Sequence, residues 1–306
     1  MTPVCLPLDD PNSHWNRFCP SWSAAIAFAV LFAVTTVLHI IQACYYRKSF
    51  LWVLIMGAIW ELIAAASRVA SIQSPTNKNS YEVSFVFLVL APLWINAFDY
   101  VVLGRMVWYY LPEKSLAGIK ATRMSTIFVA LDITSFIVQL AGALLTVNNN
   151  SSSATTNGLH VYTAGVCLQQ TLILAFFGLG ILFLIRLRQV DTVKNKARGM
   201  KLVSVLYASL LLITWRIIYR IIEFSAGVHS TLNNTLDDNE WFVYVFDIGP
   251  MFFALVLYHF YHPARVLQGP DADYPTRAQR KAMKEEAKRE KQQESISVKD
   301  SEELAV

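Results

Sequence analysis

The chain has 306 residues, is 55% hydrophobic, and carries a net charge of +4 with a mean hydropathy of +0.39. Charged residues make up 16% of it, against about 25% in an ordinary soluble domain, which excludes a soluble globular protein with a conventional polar surface. The apolar residues come in runs of about twenty, enough to cross a hydrocarbon core about 30 Å thick. They lack the polar–apolar alternation of barrel strands, so they are read as helices.

Residues 1–21 form an arm with little periodicity and three prolines before Asn12. There is no basic stretch followed by a short apolar one, so no cleavable signal peptide is expected. Seven spans follow, at 22–46, 50–72, 82–111, 124–147, 161–185, 202–224 and 241–262. The segment 148–160 is polar and low in complexity and reads as a loop. Residues 264–306 read as a charged tail, disordered or a solvated helix, with no apolar face for an interfacial helix. The expected architecture is all-α: an arm (1–21), a seven-transmembrane helix bundle (22–263) and the tail.

Lysine and arginine are very unevenly placed. Twenty lie in alternate loops and the tail, while only Arg17 and Lys78 lie on the opposite side. The bias of basic residues toward the cytoplasm predicts an outside N-terminus and a cytoplasmic C-terminus. Overlapping glycosylation sequons at Asn149 and Asn150, and a third at Asn233, fall on the side expected to be outside. Cys5 and Cys19 share the outside arm, where a disulfide is permitted. Cys44 and Cys167 lie in spans without metal-ligand spacing and are expected to pack inside.

The spans nevertheless hold nine charges: Glu61, Asp99, Asp132, Glu223, Asp247, Arg68, Arg105, Arg216 and Arg220. Each costs at least about 2.5–3.5 kcal/mol at the centre of a lipid-facing helix, so a polar bundle interior that pairs or solvates them is expected. Their spacing supports this. Glu61 and Arg68 are two turns apart. Arg216, Arg220 and Glu223 follow one helical stripe, as do Asp132, Ser135, Gln139 and Gly142, and as do Tyr244, Asp247 and Met251 beside Pro250. Counting along the spans places Arg68, Arg216, Arg220, Glu223 and Asp247 in the outer half, Glu61 and Gln139 near the middle, and Asp132 in the inner half. Arg105, near an inner helix end, is expected to snorkel toward the headgroups.

Catalytic and nucleotide signatures are scarce. The chain has no phosphate-loop motif, no nucleophile elbow and no H-E-x-x-H, so it reads as a non-enzyme without a cofactor or its own ATP site. His39, His259 and His262 leave open a lesser alternative, an intramembrane zinc hydrolase. Beyond the basic tail nothing points to nucleic acid.

Several motifs in order resemble the fungal lipid-translocating exporter family, whose members are named for aminocholesterol resistance. They are Glu61 through Arg68; Ala91-Pro92 with Tyr100 and Leu103-Gly104-Arg105; Ile127-Phe128-Val129 with Asp132, Ser135-Phe136, Gln139 and Gly142; Arg216, Tyr219-Arg220, Glu223 and Gly227; and Glu240, Tyr244, Asp247, Met251 and His262-Pro263. The match runs over about residues 24–265. Two departures stand out: Ala64-Ala65 replace the Gly-Tyr usual between the Glu and Arg of the second span, and Asp99 replaces a small or apolar residue. The resemblance implies a seven-span plasma-membrane protein handling amphiphiles such as sphingoid long-chain bases, aminosterols or, in one branch, porphyrins.

Three readings remain. In the first, a translocator moves an amphiphilic lipid, with Glu61, Asp132, Glu223 and Asp247 meeting its amine. Arg68, Arg216 and Arg220 orient those acids, and Gln139 and Tyr244 complete the polar interior. In the second, a sensor of lipid asymmetry uses the same helices without transport and offers the basic loop 186–201 and tail to a cytoplasmic protein. The third is the zinc hydrolase. The same charges could also serve only as ion pairs that set helix register.

Overall fold

The computed structural model describes residues 5–7, 13–15, 17–147, 152–190, 196–225, 231–269, 272–275 and a few isolated positions beyond. Among the described residues, seven helices are long and apolar enough to cross a membrane: Trp22–Tyr46, Ser49–Gln73, Lys78–Tyr110, Ala121–Leu145, Thr156–Gln189, Lys196–Ser225 and Trp241–Val266. Below, the end of the bundle that carries the arm is the arm end, and the opposite end is the tail end.

Helix α1 (Trp22–Tyr46) starts where the Ser21 hydroxyl accepts from the Ala24 N–H at 3.4 Å, and stops where Arg47 turns left-handed at φ 50°. A short 3₁₀ turn, Ser49–Leu51, leads into α2 (Trp52–Gln73). Asn77 caps α3 (Lys78–Tyr110), accepting from the N–H groups of Asn79 and Ser80 at 3.1 and 3.4 Å. A two-residue hairpin pairs β1 (Ser115–Leu116) with β2 (Ile119–Lys120). Ala117 and Gly118 turn at φ 50° and 77°, the positive values such a tight turn demands.

Helix α4 (Ala121–Val147) then packs closely on α5 (Ser152–Gln189). A side chain at Gly165 would come within 2.8 Å of the Gln139 backbone nitrogen, and one at Gly142 within 2.8 Å of the Gly158 carbonyl. Glycines therefore let the two backbones meet, as membrane helix pairs often require. That contact also explains a correction. The segment expected to be a loop through residue 160 is helical from Ser152, because Gly158 and Tyr162 belong to the surface that packs on α4. The sequons at Asn149 and Asn150, and the side chain of Asn233, lie outside the described residues.

Helix α6 (Lys196–Ser225) is followed by the short α7 (Thr231–Asp238). The last span begins with α8 (Trp241–Val243), widens into a π-helical turn over Tyr244–Ile248, and continues as α9 (Gly249–Phe260). Pro250 cannot donate to the residue four before it. The wide turn absorbs that defect, with the Gly249 N–H reaching back five residues to the Tyr244 carbonyl. The His262 ring caps α10 (Pro263–Val266) by accepting from the Ala264 N–H at 3.2 Å.

Consecutive helices pack side by side, α9 touches α1 and α6, and α3 is central, in contact with α2, α4, α5, α6 and α9. Large apolar side chains such as Val34, Ile41, Ile137, Leu174, Ile185 and Leu211 are exposed on the perimeter, as a lipid-facing belt requires. Cys44 and Cys167, expected to pack inside, are exposed on this perimeter instead. Residues from Gly269 on form a separate unit. Most of them lie outside the described set, as does most of the expected tail.

Candidate functional site

Eight of the nine intramembrane charges are buried, and Glu223 is half-buried. Most of them fall into two groups of different chemistry.

At the arm end, arginines meet acids from other helices and from their own. On α2, Arg68 donates from Nη2 to Glu240 Oε1 at 2.7 Å and from Nε to the Tyr244 hydroxyl at 3.2 Å. Its guanidinium lies 4.7 Å from the centre of the Trp15 ring and 5.1 Å from that of Tyr244, which adds cation–π attraction. The other oxygen of Glu240 accepts from the Ser21 N–H at 2.6 Å, so one carboxylate joins the start of α1, α2 and the last span.

On α6, Arg220 donates to Glu223 at 2.9 Å and also to Asp247, while Arg216 pairs with the other oxygen of Asp247. Asp247 thus takes two guanidinium groups on one fully buried carboxylate, held in the widened turn. Arg216 also donates from Nη2 to the Leu88 carbonyl at 3.0 Å. Leu88 lies four residues before Pro92, which has no N–H, so this carbonyl lacks its helical donor. An arginine from α6 supplies the hydrogen bond that the proline in α3 removes. Nearby, Gln139 donates to Gln169 at 3.1 Å, and both amides line a small cavity with Arg216 and Arg220.

A cavity of about 300 Å³ opens above this network. Its walls include His14, Trp15, Arg17, Phe18, Tyr81, Arg68, Arg220, Glu223, Asn239 and Glu240. The arm forms one side. Trp15 donates to the Ser71 carbonyl at 3.3 Å, His14 stacks on Tyr81, and Cys5 is disulfide-bonded to Cys19. The cavity is therefore a vestibule with a charged floor and aromatic walls.

Toward the other end of α3 and α9 the acids meet neutral donors. Asp99 accepts from the Tyr258 hydroxyl at 2.5 Å and the Ser209 hydroxyl at 2.8 Å. Asp132 accepts from the Tyr100 hydroxyl at 2.8 Å and the Asn96 amide at 3.2 Å. Aromatic rings enclose both, with Phe98 edge-on to Tyr258, and Phe128 and Phe176 against Tyr100.

These partners correct several expectations. Arg68 does not serve Glu61, its neighbour two turns away; it reaches across to Glu240, which the span assignment placed just outside the membrane. Asp132 does not join the arginine network; its Oδ2 accepts from both Tyr100 and Asn96 instead. Arg105 does not snorkel: it is buried, with its guanidinium 4.3 Å from the centre of the Phe50 ring. The histidines do not converge as zinc ligands would. His39 and His259 stack face to face at 3.8 Å, His259 Nδ1 meets Gln42, and His262 Nδ1 is used by its helix cap. Glu240, Trp15 and Tyr81 were missed as vestibule residues, since no spacing rule ties an arm or a helix end to a stripe inside a span.

The fold and this site define a multi-pass membrane protein with a buried, multi-helix charge network. Comparison with known proteins gives the family. A family model described as "RTA1 like protein" matches residues 54–270. The chain is 37% identical to a probable lipid transporter, atnI, of Emericella nidulans, over 90% of this chain and 76% of that protein. It is 30% identical to Protein RTA1 of Saccharomyces cerevisiae, over 79% of this chain and 82% of that one. It is 22% identical to the sphingoid long-chain base transporter RSB1 of the same species, over 86% and 77%. No solved structure matches. The chain belongs to the RTA1-like, lipid-translocating exporter family.

Proposed function

We propose that this protein translocates a cationic amphiphile, such as a sphingoid long-chain base or an aminosterol-like compound, across the plasma membrane. The observation that carries the proposal is the vestibule of about 300 Å³ seated on buried charges from α2, α6 and the last span. A headgroup can enter there while its chain stays among the apolar side chains of the perimeter. The protein then needs only to lower the cost of moving the headgroup, which a line of pre-paired charges does by replacing water. The transporter names of the Emericella and RSB1 relatives support this substrate class. The basic loops support an outside arm end and a cytoplasmic tail, and the disulfide of the arm agrees with an oxidising side.

A second reading, a sensor of lipid asymmetry, draws on a different observation. Each arginine of the network already holds a protein partner, so the network can lock helices together without cargo. Reconstitution separates the two. Purified protein in liposomes is expected to speed the crossing of a fluorescent sphingoid base over that in protein-free liposomes. Equal rates would reject the transport reading in favour of the sensor.

A further inference from the structure

The arm-end network has three arginines and four acids. Arg68 is matched by Glu240, and Arg220 and Arg216 by Glu223 and Asp247. That leaves Glu61. It is 1% exposed, and among the described residues neither of its carboxyl oxygens has a hydrogen-bond partner. The charged groups that face it are Arg68 on its own helix, Arg216 from α6 and Asp247 from the last span, and these are already engaged with one another or with Glu240. Helices α1 and α3 contribute Phe32, Ser84 and Leu88 around it. The Ser84 hydroxyl is itself committed to the Ala64 carbonyl at 2.9 Å. The adjoining cavity measures about 10 Å³, the threshold for a single water.

A bare carboxylate here would be an unpaired charge without a donor, a penalty of several kcal/mol. One monovalent cation on Glu61 removes it. We infer that Glu61 is an exchangeable-cation site, holding a proton while the interior is empty and releasing it when the ammonium group of the substrate takes its place. The inference rests on the transport reading and names its coupling ion. The balance is simple: the O–H bond of the acid breaks, its electron pair stays on the carboxylate, the proton leaves to water, and the ammonium ion pairs with the new carboxylate. Arg68, Ser84 and Leu88 line both this cavity and the vestibule, so one shared wall separates Glu61 from the water that would take the proton. Export of the amine would then run against inward proton movement.

The test uses purified full-length protein in detergent, in weakly buffered solution with a pH indicator. The probe is a short-chain sphingosine analogue below its micelle-forming concentration. About one proton released per amine bound is expected for the native chain, and none for Glu61→Gln or for an N-acetylated analogue. Amine binding without proton release would overturn the inference and leave transport standing. No amine binding at all would overturn both. A second readout needs neither substrate nor variant: the empty protein at neutral pH should show a protonated-carboxyl infrared band that shifts on carbon-13 labelling of glutamate. Absence of a glutamate-sensitive band would also overturn the inference. The label separates Glu61 from the buried aspartates.

Discussion

Asp247 and Asp99 are both fully buried in one bundle, yet their surroundings could hardly differ more. Asp247 sits in a widened helical turn between two guanidinium groups, beneath the vestibule. Asp99 sits among aromatic rings and takes one hydroxyl on each oxygen. The first arrangement is charge-assisted and borders space for a ligand. The second is a local clasp between α3, α6 and α9. Burial of an acid in a membrane bundle is therefore no guide to its role; what surrounds it is.

The largest expected effect comes from breaking the charged half. Arg220→Ala strips Glu223 and Asp247 of a shared partner and leaves uncompensated buried charge, which should cost about 3–5 kcal/mol. Thermal unfolding in detergent would register it as a large drop in midpoint. In the neutral half, Tyr258→Phe removes one donor of Asp99 while Ser209 remains, and about 1–3 kcal/mol is expected. A Tyr258→Phe loss matching that of Arg220→Ala would erase the contrast between the halves.

Pro92 and Arg216 test the link between helices. Pro92→Ala restores an N–H for the Leu88 carbonyl, so Arg216→Met should cost less in that background than in the native chain. The expected coupling is about 1 kcal/mol, within the range of residues that share a partner, and additive effects would deny the link. A similarly small effect is expected at the arm. Trp15→Phe keeps a ring beside Arg68 but loses the hydrogen bond to the Ser71 carbonyl, and should cost about 0.5–1.5 kcal/mol of stability, while changing fluorescent-amine binding in the vestibule.

Much of the fold was legible because membrane spans announce themselves by length and apolarity; five of the seven were read near their observed limits, while the fifth and sixth begin earlier than their apolar composition suggests. The inward direction of the stripes on α4, α6 and the last span was also legible, since lipid penalises a charge whatever its partner. Partners were not. Helical spacing put Arg68 beside Glu61, but the long arginine side chain reached Glu240 from another span. The role of Arg216 toward α3 depends on the carbonyl that Pro92 leaves open, a pairing between distant segments that periodicity cannot express. The early start of α5 was hidden by a polar composition typical of loops; Gly158 marks the close contact with α4 only once both helices are in view.

The most direct test compares Asp247→Asn with Asp99→Asn in proteoliposomes, at matched amounts of folded protein, following a fluorescent sphingoid base across the bilayer. If the charged half handles the headgroup, Asp247→Asn should slow crossing about tenfold or more, equivalent to about 1.4 kcal/mol on the barrier, and Asp99→Asn should leave it near the native rate. Equal slowing by the two variants, or loss only with Asp99→Asn, would contradict it.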